Sequence, residues 1–436
     1  MKPKMSIHFQ SRKPSAIRLA QIEFSKRKDN VAAINTAVGN VSLATHPAMQ
    51  KRLFNLKAKN SPFKDGVIKY SATAGFEETN KAFLNIITSS GFKTKDLYSQ
   101  ITDGGSQGME LIILGLCGAA GKNEKPLLVM DPTYTNYKSM ADRLGRKLVS
   151  INRILQNNGK FTLPKMSKIE KAIKEYKPAA ILVIPYDNPT GQFYDRQTMI
   201  KLAKLCVKYN LWMISDEAYR ELYYVDKKIS SIWGLTEKEI PGIKGRRISI
   251  ETVSKVWNSC GLRIGAIITD NKKFHEQCIA ENTANLCSSV IGQYIFGALA
   301  NEKHQDLKKW YSKQRNYYQS MLLSLTLNLK RELPNIIVSS PDASIYSVVG
   351  VRNIVKSNFD ALDFVLYCAK KGKVKINGKE TTLLVSPMSG FYNPKKGDKN
   401  MGKTQMRIAY VETPDNMKKV PYLFAELFKQ YQKIIA

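Results

Sequence analysis

From Ser61 to Asp270 the chain alternates short apolar runs with amphipathic stretches, and that alternation restricts it to a parallel sheet covered by helices. The runs Leu127–Met130, Lys147–Ile151, Ala179–Ile184, Trp212–Ser215, Arg247–Glu251 and Ile264–Thr269 have the length and apolar content of buried strands. Between them, Lys165–Tyr176 and Arg196–Tyr209 carry apolar residues at three- and four-residue spacing, the period of a helix with one buried face. Beyond Gln305 the character changes: a long polar helical pattern runs to Leu329, strand-like pieces follow at Ile336–Ser339 and Ile345–Val351, and a terminal helix is expected from Pro421. This pattern predicts a large domain over residues 51–310 and a smaller α+β domain over 311–436, with residues 1–50 packing against the smaller one. Thr45 with Pro47 reads as a helix start, because proline is tolerated in a first turn.

Composition narrows the function classes. No uninterrupted apolar run approaches the roughly 18 to 20 residues of a membrane span. The basic N-terminus, MKPKMSIHFQSRKPS, leads into no apolar stretch of secretory type, so neither a span nor a signal peptide is expected. Six cysteines, Cys117, Cys206, Cys260, Cys278, Cys287 and Cys368, show no C-x-x-C spacing and predict free thiols in a reducing cytoplasm. The four histidines, His8, His46, His275 and His304, form no H-E-x-x-H, so no metal site is expected. Against 36 Asp plus Glu the chain carries 68 Lys plus Arg, and a net charge of +32 raises the question of a nucleic-acid partner. The basic residues are spread along the length, with local clusters at Lys370–Lys379 and Lys395–Lys403, and none interleaves aromatics in the manner of an RNA-binding segment. Solvated lysine-rich faces are the expectation, with no nucleic acid and no membrane as partner.

The chemistry-bearing residues fall just past the carboxyl ends of the predicted strands, the edge at which open α/β sheets bind ligands. Tyr134, Asn188, Asp216 with Tyr219, and Lys255 each follow a different strand. Upstream, Asp103-Gly104-Gly105-Ser106-Gln107-Gly108 precedes the apolar helical run Met109–Gly118, so free N–H groups and the positive end of a helix dipole create an anion site suited to phosphate. Singly, each feature has a plainer reading. The glycine run is a tight turn, Asn188–Gly191 a turn, Asp216-Glu217 a helix cap, and Lys255 and Arg263 surface charges. Five such features in one order are harder to explain that way.

Asn188-Pro189-Thr190-Gly191, Ser215-Asp216-Glu217-Ala218-Tyr219 and Ser254-Lys255 followed by Gly261-Leu262-Arg263-Ile264-Gly265 resemble the motif series of the class I/II aminotransferases of pyridoxal-5′-phosphate (PLP) fold type I. The resemblance spans nearly the whole chain, from Ala37-Val38-Gly39 to Met406-Arg407-Ile408. It implies a mostly parallel seven-stranded sheet between helices, a smaller α+β domain built from both chain ends, and PLP-dependent transfer of an amino group from an L-amino acid to a 2-oxo acid by a ping-pong cycle. By that resemblance Lys255 forms the Schiff base with the cofactor aldehyde and later serves as the proton-moving base. Asp216 keeps the pyridine nitrogen protonated, Asn188 and Tyr219 hydrogen-bond the phenolic oxygen, and Tyr134 stacks on the ring. Gly105, Ser106, Gln107, Thr252, Ser254 and Arg263 hold the phosphate, with Thr252 standing where the family commonly has serine. Tyr70, in Lys69–Gly75, resembles the tyrosine that such enzymes donate to a partner subunit's phosphate site, which implies a homodimer with shared active sites. Gly39, Asn188 and Arg407 are the implied substrate contacts, Arg407 gripping the α-carboxylate.

Two departures concern specificity. Asn40 stands where the family usually has an acidic residue, and the small-domain P-x-G-A-x-F/Y stretch is Pro341-Asp342-Ala343-Ser344-Ile345-Tyr346. Ser106 also occupies the position at which some aspartate-specific members carry lysine, which weakens a reading restricted to dicarboxylates. A PLP lyase, such as a C–S lyase, or a synthase of the same fold shares every cofactor contact and is the alternative activity. A DNA-binding regulator is disfavoured, because only about 35 residues precede the first motif, too few for a winged helix-turn-helix.

Overall fold

The computed structural model describes residues 3–119, 124–395 and 397–435; Lys396, within the second basic cluster, lies outside them. Seven strands form the central sheet: β1 (Tyr98–Asp103), β2 (Leu127–Asp131), β3 (Leu148–Asn152), β4 (Ala180–Val183), β5 (Trp212–Asp216), β6 (Arg247–Thr252) and β7 (Ile264–Thr269). Their order across the sheet is β1-β7-β6-β5-β4-β2-β3. Only β7 runs against its neighbours, antiparallel to both β1 and β6, while the pairs from β6 to β3 are parallel.

Successive side chains of a strand point to opposite faces, and here both faces are covered. Leu128 and Met130 of β2 belong to one core cluster with Ile181, Val183 and Met213, whereas Leu127 and Val129 join another with Ala180, Leu182 and Ile214. That double burial explains why the strands read as near-continuous apolar runs. β1 departs from the pattern because Gln100 and Thr102 are fully buried polar residues on it. Thr102 Oγ1 donates to the Gly104 carbonyl at 3.0 Å and Gln100 Nε2 to the Cys278 carbonyl at 3.4 Å, so the fold meets inside the donors that composition suggests should lie outside, while Gln100 Oε1 has no partner among the described residues.

The C-terminal part contributes a four-stranded sheet in which Tyr346–Gly350 lies antiparallel to Gln405–Ala409, with Val348 opposite Arg407. From the other end of the chain, Ala32–Asn35 pairs in parallel with Lys379–Leu384. The terminal helix spans Pro414–Ile435 and does not begin at Pro421, which sits inside it. Pro414 opens the helix, where its missing N–H costs nothing, and the Thr413 hydroxyl accepts from Asn416 N at 3.3 Å. Pro421 is tolerated because it belongs to a buried stripe with Val420, Leu423, Phe424, Leu427 and Phe428. No helix among the described residues is long and apolar enough to cross a membrane.

The helix Pro47–Phe54 has proline in its first turn, but its cap is His46, whose ring nitrogen accepts from Ala48 N. Thr45 instead donates to the Trp257 carbonyl at 2.8 Å. Burial lowers the His46 pKa from its ordinary 6.5 to about 4, and only a neutral ring can accept that capping bond. Because the folded-state value lies below the unfolded one, this contribution is complete above pH 6.5 and is lost as pH falls toward 4. We expect unfolding free energy from urea titrations to drop by about 2 kcal/mol more across that window in the parent than in His46→Asn, which keeps a cap without a titrating ring. Parallel pH profiles for the two proteins would remove His46 as the cause.

Candidate active site

A cavity of about 520 Å³ opens beyond the carboxyl ends of β2, β4, β5 and β6 and collects Tyr134, Asn188, Asp216, Tyr219, Thr252, Ser254 and Lys255. Strand alternation sorts the acidic pair at the end of β5. Asp216 lines the cavity, while Glu217 turns into the core, where its carboxylate accepts from Ser215 and Ser231 hydroxyls and from Ile232 N at 2.8 to 3.0 Å. Asp216 itself accepts from Tyr137 Oη at 2.5 Å and from Ala218 N at 3.0 Å. No lysine or arginine among the described residues pairs with it. Burial pushes its carboxyl pKa up, opposed by the Tyr137 hydrogen bond. A carboxylate held this way favours a cationic N–H donor brought to it.

The loop after β4 is tied down from behind. Arg153 NH1 donates to the buried Asp187 carboxylate at 2.7 Å, and Asp187 Oδ1 accepts from the Thr190 hydroxyl at 2.8 Å. That fixes the turn and projects Asn188, whose Oδ1 accepts from Arg407 NH1 at 3.0 Å and whose Nδ2 lies 3.4 Å from Tyr219 Oη. Arg407 NH2 donates to the Ala37 carbonyl at 2.7 Å, and the guanidinium stacks over Tyr346 and Phe391 at 4.3 and 4.9 Å. Its Nε is buried without a partner, and burial works against its charge with no carboxylate beside it. A buried guanidinium with one donor unmet and no carboxylate partner among the described residues is a socket for an anion. Tyr219 Oη and Tyr346 Oη meet at 2.8 Å between Asn188 and Arg407.

Lys255 Nζ donates to the Gly39 carbonyl and lies 3.9 Å from Cys260 Sγ. Gly39 admits no side chain: a Cβ there would collide with the Tyr346 hydroxyl and stand 3.2 Å from Lys255 Nζ. At the opposite end Gly105 and Ser106 occupy the first turn of the helix Gly104–Leu116, whose cap residue Asp103 makes no side-chain capping bond. The turn's N–H groups are therefore free to meet an anion. Arg263 closes against Gly104, where φ is +67° and a Cβ would strike the guanidinium, and it has no acidic partner among the described residues. Thr252 and Ser254 hydroxyls, 2.8 Å apart, lie on the same wall.

Two expected contacts stand off the wall. Gln107 turns its side chain back to Asp103 N and to Asn282, leaving at most its backbone for the cavity, and Tyr70 is 79% exposed. In exchange, the fold brings in residues that strand-end reasoning does not reach: Tyr137, three residues past Tyr134, Cys260, five residues past Lys255, and Tyr346 and Arg18 from distant segments. Tyr137 was findable only as the i+3 companion of Tyr134.

The residue set fits pyridoxal phosphate: an amine for its aldehyde, a half-buried carboxylate for its ring nitrogen, a glycine-lined helix start beside an arginine with no acidic partner among the described residues for its phosphate, and a buried guanidinium with its Nε unmet for a substrate carboxylate. Comparison with known proteins agrees. The family model described as aminotransferase class I and II matches residues 56–392. A putative aminotransferase of Bacillus subtilis is 25% identical over 334 residues, 74% of this chain and 79% of that protein. The aspartate aminotransferase of Musicola paradisiaca is 22% identical over 335 residues, 74% of this chain and 78% of its own. Among solved structures, an alanine aminotransferase from Pyrococcus furiosus superposes with a TM-score of 0.78 at 20% identity, covering 98% of this chain and all of that one, which establishes the shared fold.

Proposed function

This chain belongs to the class I and II aminotransferases and is a pyridoxal-phosphate-dependent transaminase; on that premise we propose that it moves the amino group of an L-amino acid to a 2-oxo acid in two half-reactions at one cavity. The orphaned Nε of Arg407 carries this reading. Donor and acceptor both bear an α-carboxylate, and a single buried guanidinium grips one at a time, so the two substrates take turns. An arginine suits the task because its planar fork makes two parallel charge-assisted bonds that fix the orientation of the Cα–H bond.

The cofactor, when bound, supplies an electron-accepting ring for the electron pair released as the Cα proton leaves. Lys255 Nζ, at the cavity floor beside the Gly39 carbonyl, is the amine that takes and returns that proton. Asp216 holds a proton on the ring nitrogen, and Tyr137 keeps the carboxylate aimed. Asn188 links the two ends of the site, since the amide that faces Tyr219 also accepts from Arg407. Gly105, Ser106, Thr252, Ser254 and Arg263 would hold the phosphate, and Gln107 could add its backbone N–H.

We further propose residues 51–310 as the cofactor domain and 311–436 as the smaller one joined by residues 1–50, a reading supported by the pairing of Ala32–Asn35 with Lys379–Leu384. A homodimer is supported by the exposed apolar residues Leu53, Phe54, Val67, Ile68 and Tyr70 along one stretch of chain, with Tyr70 free to reach a partner's phosphate site. A monomer by sedimentation would end that proposal. Six unpaired cysteines favour the cytoplasm.

The test is the half-reaction. Holoenzyme mixed with each L-amino acid should yield the matching oxo acid stoichiometrically, with turnover only when an acceptor oxo acid is added. Release of ammonia and pyruvate from a cysteine conjugate without any acceptor would favour the lyase instead. For Arg407→Lys we expect KM to rise roughly 10- to 100-fold for every donor with cofactor affinity unchanged, because a single ammonium keeps the charge and loses the fork. An unchanged KM across donors would exclude Arg407 from the substrate site.

A further inference from the structure

The cavity wall carries four cations, Arg18, Lys255, Arg263 and Arg407, and one acid, Asp216. The proposed reading uses all of them except Arg18. Its side chain makes no hydrogen bond or ion pair among the described residues, and the residue is exposed at the mouth. Arg18 lies in the first turn of the helix Ala16–Phe24, and that turn is anchored beside Arg407. Ile17 packs in one cluster with Met388, Phe391 and Tyr392, and a Cβ on Gly390 would stand 2.8 Å from Ala16 Cβ. Phe391 in turn stacks on the Arg407 guanidinium at 4.9 Å. The helix thus sets its cation over the substrate end of the cavity, away from the helix start and Arg263 at the phosphate end.

Charge balance identifies what that cation takes. A phosphate is matched by Arg263 and the free N–H groups of the Gly104–Leu116 helix start, an α-carboxylate by Arg407, and Asp216 by the ring nitrogen. Lys255 is the reacting amine, which leaves one guanidinium, Arg18, with no assigned partner, at the end where the substrate side chain must lie. We propose that Arg18 binds the side-chain carboxylate of a dicarboxylic substrate, making aspartate- or glutamate-like amino acids and their oxo acids the preferred substrates. This inference rests on the aminotransferase reading and deepens it. It also supplies from this chain's own N-terminal helix the second cation that Ser106 does not provide.

The experiment compares glutarate, an unreactive dicarboxylate, with valerate, the monocarboxylate of equal length, binding to holoenzyme by calorimetry. Arg18→Gln, at an exposed position, should weaken glutarate roughly 10- to 100-fold and leave valerate unchanged. Arg18→Lys should recover a large part of the difference, and kcat/KM for L-glutamate should fall in step while that for L-alanine does not. Equal losses for the two acids, or no loss for glutarate, would overturn the proposal. The two readings fail separately: a parent that transaminates only neutral donors removes Arg18 from recognition and leaves the reaction standing, whereas selective glutarate loss in a protein that converts no amino acid to an oxo acid keeps the Arg18 contact and removes the reaction.

Discussion

Replacing Lys255 with alanine is expected to lower transamination by roughly 10⁴-fold or more while the protein stays folded. The structure explains both halves of that expectation. The Lys255 amine touches one backbone carbonyl, that of Gly39, and stands 3.9 Å from the Cys260 thiol; it pairs with no carboxylate among the described residues, and a single hydrogen bond is its link to the Gly39 segment. Truncation therefore removes the only lysine among the described residues lining the cavity without orphaning a buried charge, and a carbonyl facing an open cavity can be hydrated in its place. Among the described residues no other lysine lines the cavity to stand in for it. Thermal unfolding should change little, cofactor should still bind through the phosphate contacts, and borohydride reduction of the parent followed by peptide mapping should put the pyridoxyl label on Lys255. A label on another lysine, or an alanine variant with substantial turnover, would remove Lys255 from its role.

How far the sequence reaches depends on where the physical signal lies. Strands buried on both faces advertise themselves, and β2 to β7 lie within a residue or two of the limits that their apolar runs predict. β1 was silent because its buried side chains include the polar Gln100 and Thr102, and the Gln100 bond to the Cys278 carbonyl depends on a segment that no local window contains. The terminal helix was misplaced for a related reason: Pro421 reads as a boundary locally, yet the buried stripe around it outweighs one missing backbone bond. At the site, residues just past strand ends were legible as a group, since the sheet itself converges them on one cavity. Tyr346, which sits between Tyr219 and Arg407, owes its place to a strand pairing between Tyr346–Gly350 and Gln405–Ala409 from separate segments. Arg18 enters from the far N-terminus. Arg18 carries no local mark of chemistry, and Tyr346 carries only that of the Pro341–Tyr346 stretch, which bears on specificity without placing its side chain.

Asp216→Asn should slow the reaction roughly a thousandfold, equivalent to about 4 kcal/mol of transition-state stabilisation, while cofactor affinity changes far less. The carboxylate is partly buried at the cavity wall and burial opposes its charge, so its purpose is to meet a positive partner where water screens the pair weakly. Asparagine matches its size and can still accept from Ala218 N through Oδ1. Its Nδ2, however, replaces the oxygen that receives the Tyr137 proton, and it cannot hold a proton on the ring nitrogen by charge. In the proposed reading the phosphate and the ring face would be held elsewhere, by Arg263, the Gly104–Leu116 helix start and Tyr134, all on the cavity wall, which is why binding should survive. Tyr137→Phe provides the internal comparison: it leaves the carboxylate in place and removes one hydrogen bond, so a loss of about tenfold is expected. Single-turnover rates measured on cofactor-saturated variants separate these outcomes from weak binding. If Asp216→Asn reacted at close to the parent rate, or if Tyr137→Phe were as slow as Asp216→Asn, the charge on Asp216 would not be what drives the chemistry.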